Sequence, residues 1–266
     1  MQGFMMPEPR PRSSDTALGR ESERTGLANA GRGWARALAP LGKRKMTVLV
    51  DVSNKCNIRC RMCYFHFDSV FHRRAQFMQP AMFDQLAARL FPLAHTVYLS
   101  AGNEPLTSPH FEELLQIAAP YAVPDLKFLT NALLVTPRLA DAIARCGVNQ
   151  VHISIDGATK ETYESIRVGG KFKVLKRGVQ LLAEARARYG KETPHLQFNV
   201  TLMRSNLGEL ESFVDLAEEF RSVAREQPDG PGLFLLGDRY HPSATGYGVV
   251  AERVLELIRE RGWLPG

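Results

Sequence analysis

The stretch TVLVDVSNKCNIRCRMC, residues 47–63, joins an apolar run to three closely spaced cysteines. Its first part, Thr47–Val52, is rich in β-branched residues, which predicts a buried strand. Its second part places Cys56, Cys60 and Cys63 in a Cys-x3-Cys-x2-Cys pattern directly after that strand. Cysteines this close in sequence are poor disulfide partners and good metal ligands. We therefore expect a metal-binding loop at the carboxyl end of the first strand.

Beyond this stretch, short apolar runs alternate with amphipathic helical segments. The predicted strands are Thr47–Val52, Thr96–Ser100, Leu126–Thr130, Gln150–Ile155 and Leu196–Leu202. The predicted helices are Pro80–Leu90, Phe111–Ala119, Pro137–Cys146, Val174–Tyr189 and Leu207–Phe220. Strand–helix alternation indicates βαβ units and a parallel sheet, so the fold class is α/β. Five units fit a full or partial (β/α) barrel, and a doubly wound open sheet is the main alternative.

In either fold, function lies at the carboxyl ends of the strands. Those ends are polar or glycine-rich in this chain, as the rim of an active site should be. After the cysteine loop they are Gly102-Asn103-Glu104-Pro105, Thr130-Asn131, Asp156-Gly157 and Met203–Asn206.

The cysteine loop favours an iron–sulfur cluster. Thiolates select Fe–S clusters, zinc or copper(I), and a cubane cluster normally takes four cysteines. Three cysteines leave one iron open for a substrate's amino and carboxylate groups, and we expect Lys55, Arg59 and Arg61 to offset the thiolate charge. A zinc site with Cys3His ligation, using the Cys60-x2-Cys63-x2-His66 pattern, remains an alternative. Cys146 lies far away in sequence, before Gly147, and we expect a buried structural thiol rather than a fourth ligand.

These motifs resemble, in the same order, those of radical S-adenosylmethionine enzymes, over Met46 to Arg221. The likeness is greatest to the branch with SPASM-type peptide-modifying and molybdenum-cofactor-synthesis-like proteins. It implies a partial (β/α)6 TIM-like barrel whose last unit is atypical in this chain. It also implies a [4Fe–4S] cluster on Cys56, Cys60 and Cys63 that reductively cleaves S-adenosylmethionine. The resulting 5′-deoxyadenosyl radical would abstract hydrogen from an unknown peptide or small molecule, with flavodoxin or ferredoxin as electron donor.

The resemblance also assigns cofactor contacts, although it assigns no catalytic side chain. It implies contacts to the methionine amino group from Gly102, Asn103, Glu104 and Pro105, and a contact to the methionine carboxylate from Arg167. It implies ribose contacts from Ser154 and Asp156. The adenine contact is implied for Leu202, with Asn199 and Arg204 as weaker candidates. Asn131 matches the third strand end of the family. Asn103 and Ala132 stand where the family has glycine. His152 is expected in the core or in the cleft, with the core preferred.

The two ends of the chain do not follow the family pattern. Residues 1–45 carry nine Lys and Arg against four Asp and Glu, which accounts for most of the net charge of +6. We expect a disordered basic leader there, although such a segment could contact nucleic acid or anionic lipid. Residues 46–221 form the expected core. In the tail, residues 222–266, the Asp238-x-x-His241-Pro242 motif is similar to the end of SGNH/GDSL hydrolases.

No Gly-Asp-Ser nucleophile motif accompanies that tail, which argues against a hydrolase. We expect either a fused fragment or a substitute sixth unit, with a strand at Leu233–Leu236 and a helix at Val249–Arg261. No cysteine follows Cys146, so we expect no auxiliary cluster. No apolar run reaches the roughly 20 residues that span a membrane. We expect a cytoplasmic protein without membrane or nucleic-acid partners. The alternative to an enzyme is a non-catalytic cluster- or zinc-binding protein, or the remnant of a fused gene.

Overall fold

A computed structural model describes residues 44–100 and 102–224 of the chain. The strands there are β1 (Met46–Leu49), β2 (Arg59–Cys60), β3 (Ala94–Tyr98), β4 (Asp125–Thr130), β5 (Gln150–Ser154), β6 (Arg167–Val168) and β7 (His195–Asn199). The α-helices there are α1 (Asp68–Phe71), α2 (Pro80–Leu90), α3 (Phe111–Ala118), α4 (Pro137–Arg145), α5 (Lys160–Ile166), α6 (Phe172–Arg188) and α7 (Leu210–Ala224).

Five strands form one parallel sheet in the order β1-β3-β4-β5-β7. This order follows the chain in one direction and contains no reversal, which a doubly wound sheet requires. Parallel crossovers are right-handed, so a one-directional order puts every connecting helix on the same face, as in a barrel wall. The fold is therefore a partial TIM-like barrel, and the doubly wound alternative is wrong.

Local sequence explains where the helices begin. Pro80 and Pro137 occupy first helical positions, where the missing N–H is not needed. The Thr136 hydroxyl accepts a hydrogen bond from Leu139 N at 3.2 Å and caps α4. Thr159 caps α5 in the same way through Thr162 N at 3.3 Å. These signals are local, and the boundaries of the five predicted helices agree with the structure to within a few residues.

The two faces of the sheet differ in polarity. The face toward the helices carries fully buried side chains such as Val97, Phe128 and Val151. The opposite, inner face is polar: His152 Nδ1 lies 2.9 Å from the Tyr98 hydroxyl. His152 is half-buried on this inner face and is not part of the apolar core. The preference for a core position of His152 is thus corrected. Successive side chains of a strand point to opposite faces, so His152 points to the inner face while Val151 points to the helices.

The two ends of the chain remain predictions. Residues 1–43 and 225–266 lie outside the described residues, and so do the predicted Leu233–Leu236 strand, the Asp238–His241 motif and the Val249–Arg261 helix. Among the helices of the described part, none combines the length and apolar character needed to cross a membrane.

Candidate functional site

The cysteine loop follows β1 and is fixed to the ends of other strands. Cys60 lies in β2, which pairs antiparallel with β6 so that Cys60 is opposite Arg167. Lys55 O accepts a hydrogen bond from Glu104 N at 2.9 Å, and this bond joins the loop to the end of β3. Cys63 N donates to Cys60 O at 3.0 Å, so the last two cysteines occupy one tight turn. Main-chain bonds therefore bring the three cysteines to the carboxyl edge of the sheet, as predicted.

All three cysteines are free thiols, with Cys60 buried and Cys56 and Cys63 half-buried. Burial raises the pKa of Cys56 to about 12. Burial also raises the pKa of Cys60, although the Arg167 charge opposes this effect. A bound metal deprotonates coordinating thiols, so binding at this loop must release protons. By their chemistry, three thiols within one loop fit an iron–sulfur cluster with one iron free of protein ligands.

Two polar side chains from other strand ends reach the sulfur atoms. The Asn131 amide nitrogen lies 3.9 Å from Cys56 Sγ and donates to Asn57 Oδ1 at 2.8 Å. Arg167 Nη1 lies 3.7 Å from Cys60 Sγ. Such donors orient the ligands and influence the electronic properties of a bound metal group.

The cations expected to offset the thiolates are arranged differently. Arg59 forms an ion pair with Asp68 at 2.7 Å, and the Lys55 ammonium donates to the main-chain oxygens of Phe71 and Arg73. Among the described residues, Arg167 is instead the cation in contact with a cysteine sulfur. Sequence proximity did not predict charge compensation here because the compensating residue is more than 100 positions away.

A zinc site has less support from this geometry. In the described residues, no three Cys, His, Asp or Glu side chains are grouped as a single metal ion requires. His66 is exposed, and its main-chain oxygen accepts a hydrogen bond from Arg59. A cubane does not need such convergence, because each thiolate binds a different iron. Cys146 directly follows α4 at the amino edge of the sheet, opposite the cysteine loop, which argues against a fourth ligand. Its side chain is half-buried, so the expectation of a buried thiol is corrected.

The second strand end is organised by the buried Glu104 carboxylate. Its oxygens accept hydrogen bonds from Leu106 N (3.1 Å), the Thr130 hydroxyl (2.8 Å) and Asn131 N (2.7 Å). Burial raises the pKa of Glu104 to about 7, and these donors only partly oppose that effect. Glu104 therefore connects the second and third strand ends, and Pro105 begins a buried turn behind it.

Gly102 and Asn103 face the cysteine loop. The Tyr64 hydroxyl donates to Gly102 O at 2.8 Å and to Asn103 Oδ1 at 3.2 Å. A Cβ at Gly102 would lie 3.1 Å from that hydroxyl, so a larger side chain would disturb this contact. At the third strand end, Ala132 has a φ of 58°, a left-handed conformation that glycine adopts more easily. The family pattern has glycine at this position, which suits a left-handed backbone, and this chain adopts the same conformation with alanine.

The fourth strand end contains a buried ion pair. Arg167 Nη2 lies 2.7 Å from Asp156 Oδ2, and the two side chains are 9% and 1% exposed. Asp156 Oδ1 accepts a hydrogen bond from Thr201 N at 2.8 Å. Within residues 44–100 and 102–224, Arg167 Nε and the Tyr163 hydroxyl are buried without a hydrogen-bond partner. Buried polar atoms normally have partners, so this region has donor capacity available for a ligand.

The remaining predicted contacts lie farther along the same edge. Ser154 and Asn199 are opposite each other on β5 and β7, and both are half-buried. The Asn199 side-chain oxygen accepts a hydrogen bond from Gln197 at 3.1 Å. Leu202 is half-buried against the core, whereas Arg204 is exposed. The structure therefore brings the predicted residues to one edge of the sheet, and their cofactor contacts stay predictions.

Two polar residues whose structural role the sequence did not reveal hold this edge together. Asn206 is fully buried, donates to the main-chain oxygens of Asp156 and Thr201 at 2.9 Å, and accepts from Met203 N at 2.7 Å. The Glu209 carboxylate accepts three hydrogen bonds from residues 158–162 at the start of α5. Asn206 does have a sequence signal, since a polar residue after a strand and before a helix is typical of turn chemistry.

Taken together, the fold and the site define an α/β-barrel protein with a thiol-rich cofactor loop at the carboxyl edge of its sheet. The model of the Radical SAM superfamily matches residues 50–217, which is more than half of the chain. The chain belongs to this superfamily.

Known relatives agree with this assignment. The chain is 34% identical to the mycofactocin maturase MftC of Mycobacterium tuberculosis over 146 residues, which cover 54% of this chain and 35% of MftC. It is 30% identical to the AdoMet-dependent heme synthase of Methanosarcina barkeri over 129 residues, or 48% and 35% of the two chains. The chain thus matches about a third of the length of these curated relatives.

A solved structure supports the fold. Streptococcus suis SuiB bound to S-adenosylmethionine superimposes with a TM-score of 0.62 at 14% identity, over 93% of this chain and 55% of SuiB.

Proposed function

We propose that the chain binds a [4Fe–4S] cluster through Cys56, Cys60 and Cys63 and S-adenosylmethionine at the remaining iron. The observation that carries this proposal is the group of three free thiols at the carboxyl edge of a partial barrel of the Radical SAM superfamily. A cluster held by these cysteines would supply the electron that cleaves S-adenosylmethionine to methionine and a 5′-deoxyadenosyl radical, and that radical would abstract a substrate hydrogen. The protein's own residues position the cofactor and shield it from water.

The main chain of Gly102 and Asn103 is the proposed contact for the methionine amino group. Glu104 and Pro105 hold that segment in place, because the Glu104 carboxylate already accepts three hydrogen bonds from this chain. Asn131 orients Cys56 through its amide. This division of roles keeps Glu104 in the site but gives it a supporting function.

Arg167 is proposed to approach the methionine carboxylate with the part of its guanidinium that lacks a partner in the described residues. Asp156 holds the guanidinium from the other side, and its own Oδ1 is occupied by Thr201 N. Ser154 and Leu202 are the proposed contacts for the ribose and the adenine. Arg pairs well with carboxylates because its donors form a rigid, charged fork.

The substrate proposed first is a peptide, with a small molecule as the second possibility. MftC is named a maturase, and a structure of SuiB contains the precursor peptide SuiA. The electron donor is proposed to be a flavodoxin or ferredoxin, and the compartment to be the cytoplasm, since adjacent free thiols need a reducing environment. The proposed catalytic core is residues 46–221, with 1–45 as a leader and 222–266 as an atypical tail.

Anaerobic reconstitution with iron and sulfide tests the proposal. The wild-type chain should become brown and bind about four irons, and reduction with S-adenosylmethionine present should yield 5′-deoxyadenosine. A Cys56→Ala/Cys60→Ala/Cys63→Ala variant should lose the colour and the product. Cys146→Ala is the matched control, because it removes a thiol at the opposite edge of the sheet, and it should keep both.

Other results would redirect the assignment. A wild-type chain that binds one zinc and takes up no iron would establish the zinc alternative. A chain that binds four irons and yields no 5′-deoxyadenosine would be a cluster-binding protein without this activity.

A further inference from the structure

An exposed basic surface lies beside the cysteine loop. We define the basic flank as Arg61, Arg73 and Arg74, all of which are exposed. None of the three guanidinium groups takes part in an ion pair or hydrogen bond with the described residues of the chain, 44–100 and 102–224. Their charges are therefore available to a partner.

The basic flank is fixed to the cysteine loop through its main chain. Asn54 Nδ2 donates to Arg74 O at 2.9 Å, and Lys55 Nζ donates to Arg73 O at 3.2 Å. Arg61 itself lies between Cys60 and Cys63. Because these bonds come from the residues directly before Cys56, the position of the three arginines follows that of the loop.

Exposed apolar side chains accompany the basic flank. Met62, Tyr64 and Phe67 are 40%, 44% and 64% exposed. From Val52 to Phe83 the sequence has five Lys and Arg and a single acidic residue, Asp68, which is paired with Arg59. An apolar patch with charged surroundings is typical of protein–protein interfaces, and a charge of one sign selects an oppositely charged partner.

We infer that the basic flank, with Met62, Tyr64 and Phe67, is the docking surface for a small acidic one-electron carrier protein. The inference rests on the proposed function, because the cluster needs an electron from outside the chain. One electron passes from the reduced carrier to the oxidised cluster, and no bond forms or breaks. A carrier docked here would lie against the loop that holds the cluster ligands, and opposite charges would speed its association.

The test compares two double variants of the reconstituted full-length chain. Arg73→Gln/Arg74→Gln removes two charges of the basic flank without altering the cysteine loop. Arg89→Gln/Arg145→Gln is the matched control, because both arginines are exposed at the carboxyl ends of helices, on the opposite edge of the sheet. The probe is a reduced acidic flavodoxin, and photoreduced 5-deazariboflavin serves as an uncharged small reductant. Cluster reduction is followed by stopped-flow absorbance, and binding of flavodoxin to the unloaded chain is followed by calorimetry.

At low salt, Arg73→Gln/Arg74→Gln should slow flavodoxin-driven reduction by about 10-fold and weaken binding, since charge steering contributes ~10–10³ in rate. Near 1 M salt, where the Debye length is about 3 Å, the variant should approach the wild type. Reduction by deazariboflavin should be unchanged, and the control variant should behave as the wild type in every assay.

Three results would overturn the inference. An unchanged flavodoxin rate in Arg73→Gln/Arg74→Gln shows that the carrier docks elsewhere. An equal loss in the control variant shows that only net charge matters. Binding of an RNA oligonucleotide that the same substitutions abolish, without any flavodoxin effect, assigns the surface to a nucleic acid. A wild-type chain that takes up no cluster refutes the proposed function itself. A wild-type cluster that deazariboflavin reduces and flavodoxin does not reduce refutes only the docking surface.

Discussion

Asp156→Asn should strongly destabilise the fold, because it leaves a buried guanidinium without its counterion. The Asp156 and Arg167 side chains are only 1% and 9% exposed, and Oδ2 lies 2.7 Å from Nη2. Burial alone lowers the pKa of Arg167, but Asp156, together with Cys60 and Tyr163, raises the pKa above its ordinary value. Arginine keeps its charge in proteins, so Asp156→Asn leaves a charged guanidinium buried without its counterion.

The magnitude follows from burial. Removing one partner of a buried ion pair costs about 3–5 kcal/mol. Asparagine keeps the oxygen that accepts from Thr201 N, so the loss reports on the charge and not on that hydrogen bond. The matched control is Glu112→Gln, whose partner Arg138 has a side chain that is 84% exposed. An exposed pair contributes about 0–1 kcal/mol, so the control should unfold close to the wild-type midpoint.

Urea unfolding of the cluster-free chain, followed by circular dichroism under reducing conditions, measures both free energies. Arg167→Met and the double variant complete a thermodynamic cycle, in which the double variant should lose less than the sum of the single losses. The reasoning fails if Asp156→Asn stays within about 1 kcal/mol of the wild type, or if the two single losses simply add.

Three further outcomes follow from the same edge of the sheet. Gly157→Ala should lower the free energy of unfolding in urea by about 3 kcal/mol, because the new Cβ would lie 2.2 Å from Tyr163 N. The control Gly208→Ala has open space around its Cβ and should change this free energy by less than about 1 kcal/mol. Equal effects of the two substitutions would contradict the close approach at Gly157. The pKa of Glu104 is raised from 4.5 to about 7 in the folded state, which therefore holds the proton more tightly than the unfolded state. The free energy of unfolding of the cluster-free chain should fall by about 3 kcal/mol as pH rises from 4.5 through 7. Glu104→Gln should flatten this pH dependence, and an unchanged slope in the variant would refute the role of Glu104. Asn131→Ala should lower the reduction potential of the reconstituted cluster, because it removes a hydrogen-bond donor to the sulfur of Cys56. A redox titration measures this potential, and a value equal to that of the wild type would show that the amide has no such effect.

The wall of the barrel could be predicted because its signals are local. Each strand is a short β-rich run, and helices such as α2 and α4 begin at Pro80 and Pro137, where sequence alone marks a first turn. The position of Cys56, Cys60 and Cys63 followed from the rule that function lies at the carboxyl ends of parallel strands.

Other features were beyond local signals. The β2–β6 pair joins two strands of two residues each, more than 100 positions apart, and two residues show no periodicity. In the sequence, Asp156 has the ordinary interpretation of a turn residue, and Arg167 that of a residue that binds a carboxylate. Only the tertiary structure shows that the two side chains face each other. Asn206 is similar: its position after a strand indicates a turn, but the sequence does not show that its amide is buried.

These long-range contacts also connect the cysteine loop to the stability of the sheet. Cys60 is held by the β2–β6 pair and lies 3.7 Å from Arg167, which in turn is paired with Asp156. Cys56 lies beside Asn131, whose main chain is bound to Glu104. Each of these two cysteines is thus supported by a buried ionisable residue from a different strand end. Because both supports are buried, a substitution that loosens either strand end should misplace a cluster ligand, and cluster loss in Asp156→Asn should therefore accompany its loss of stability.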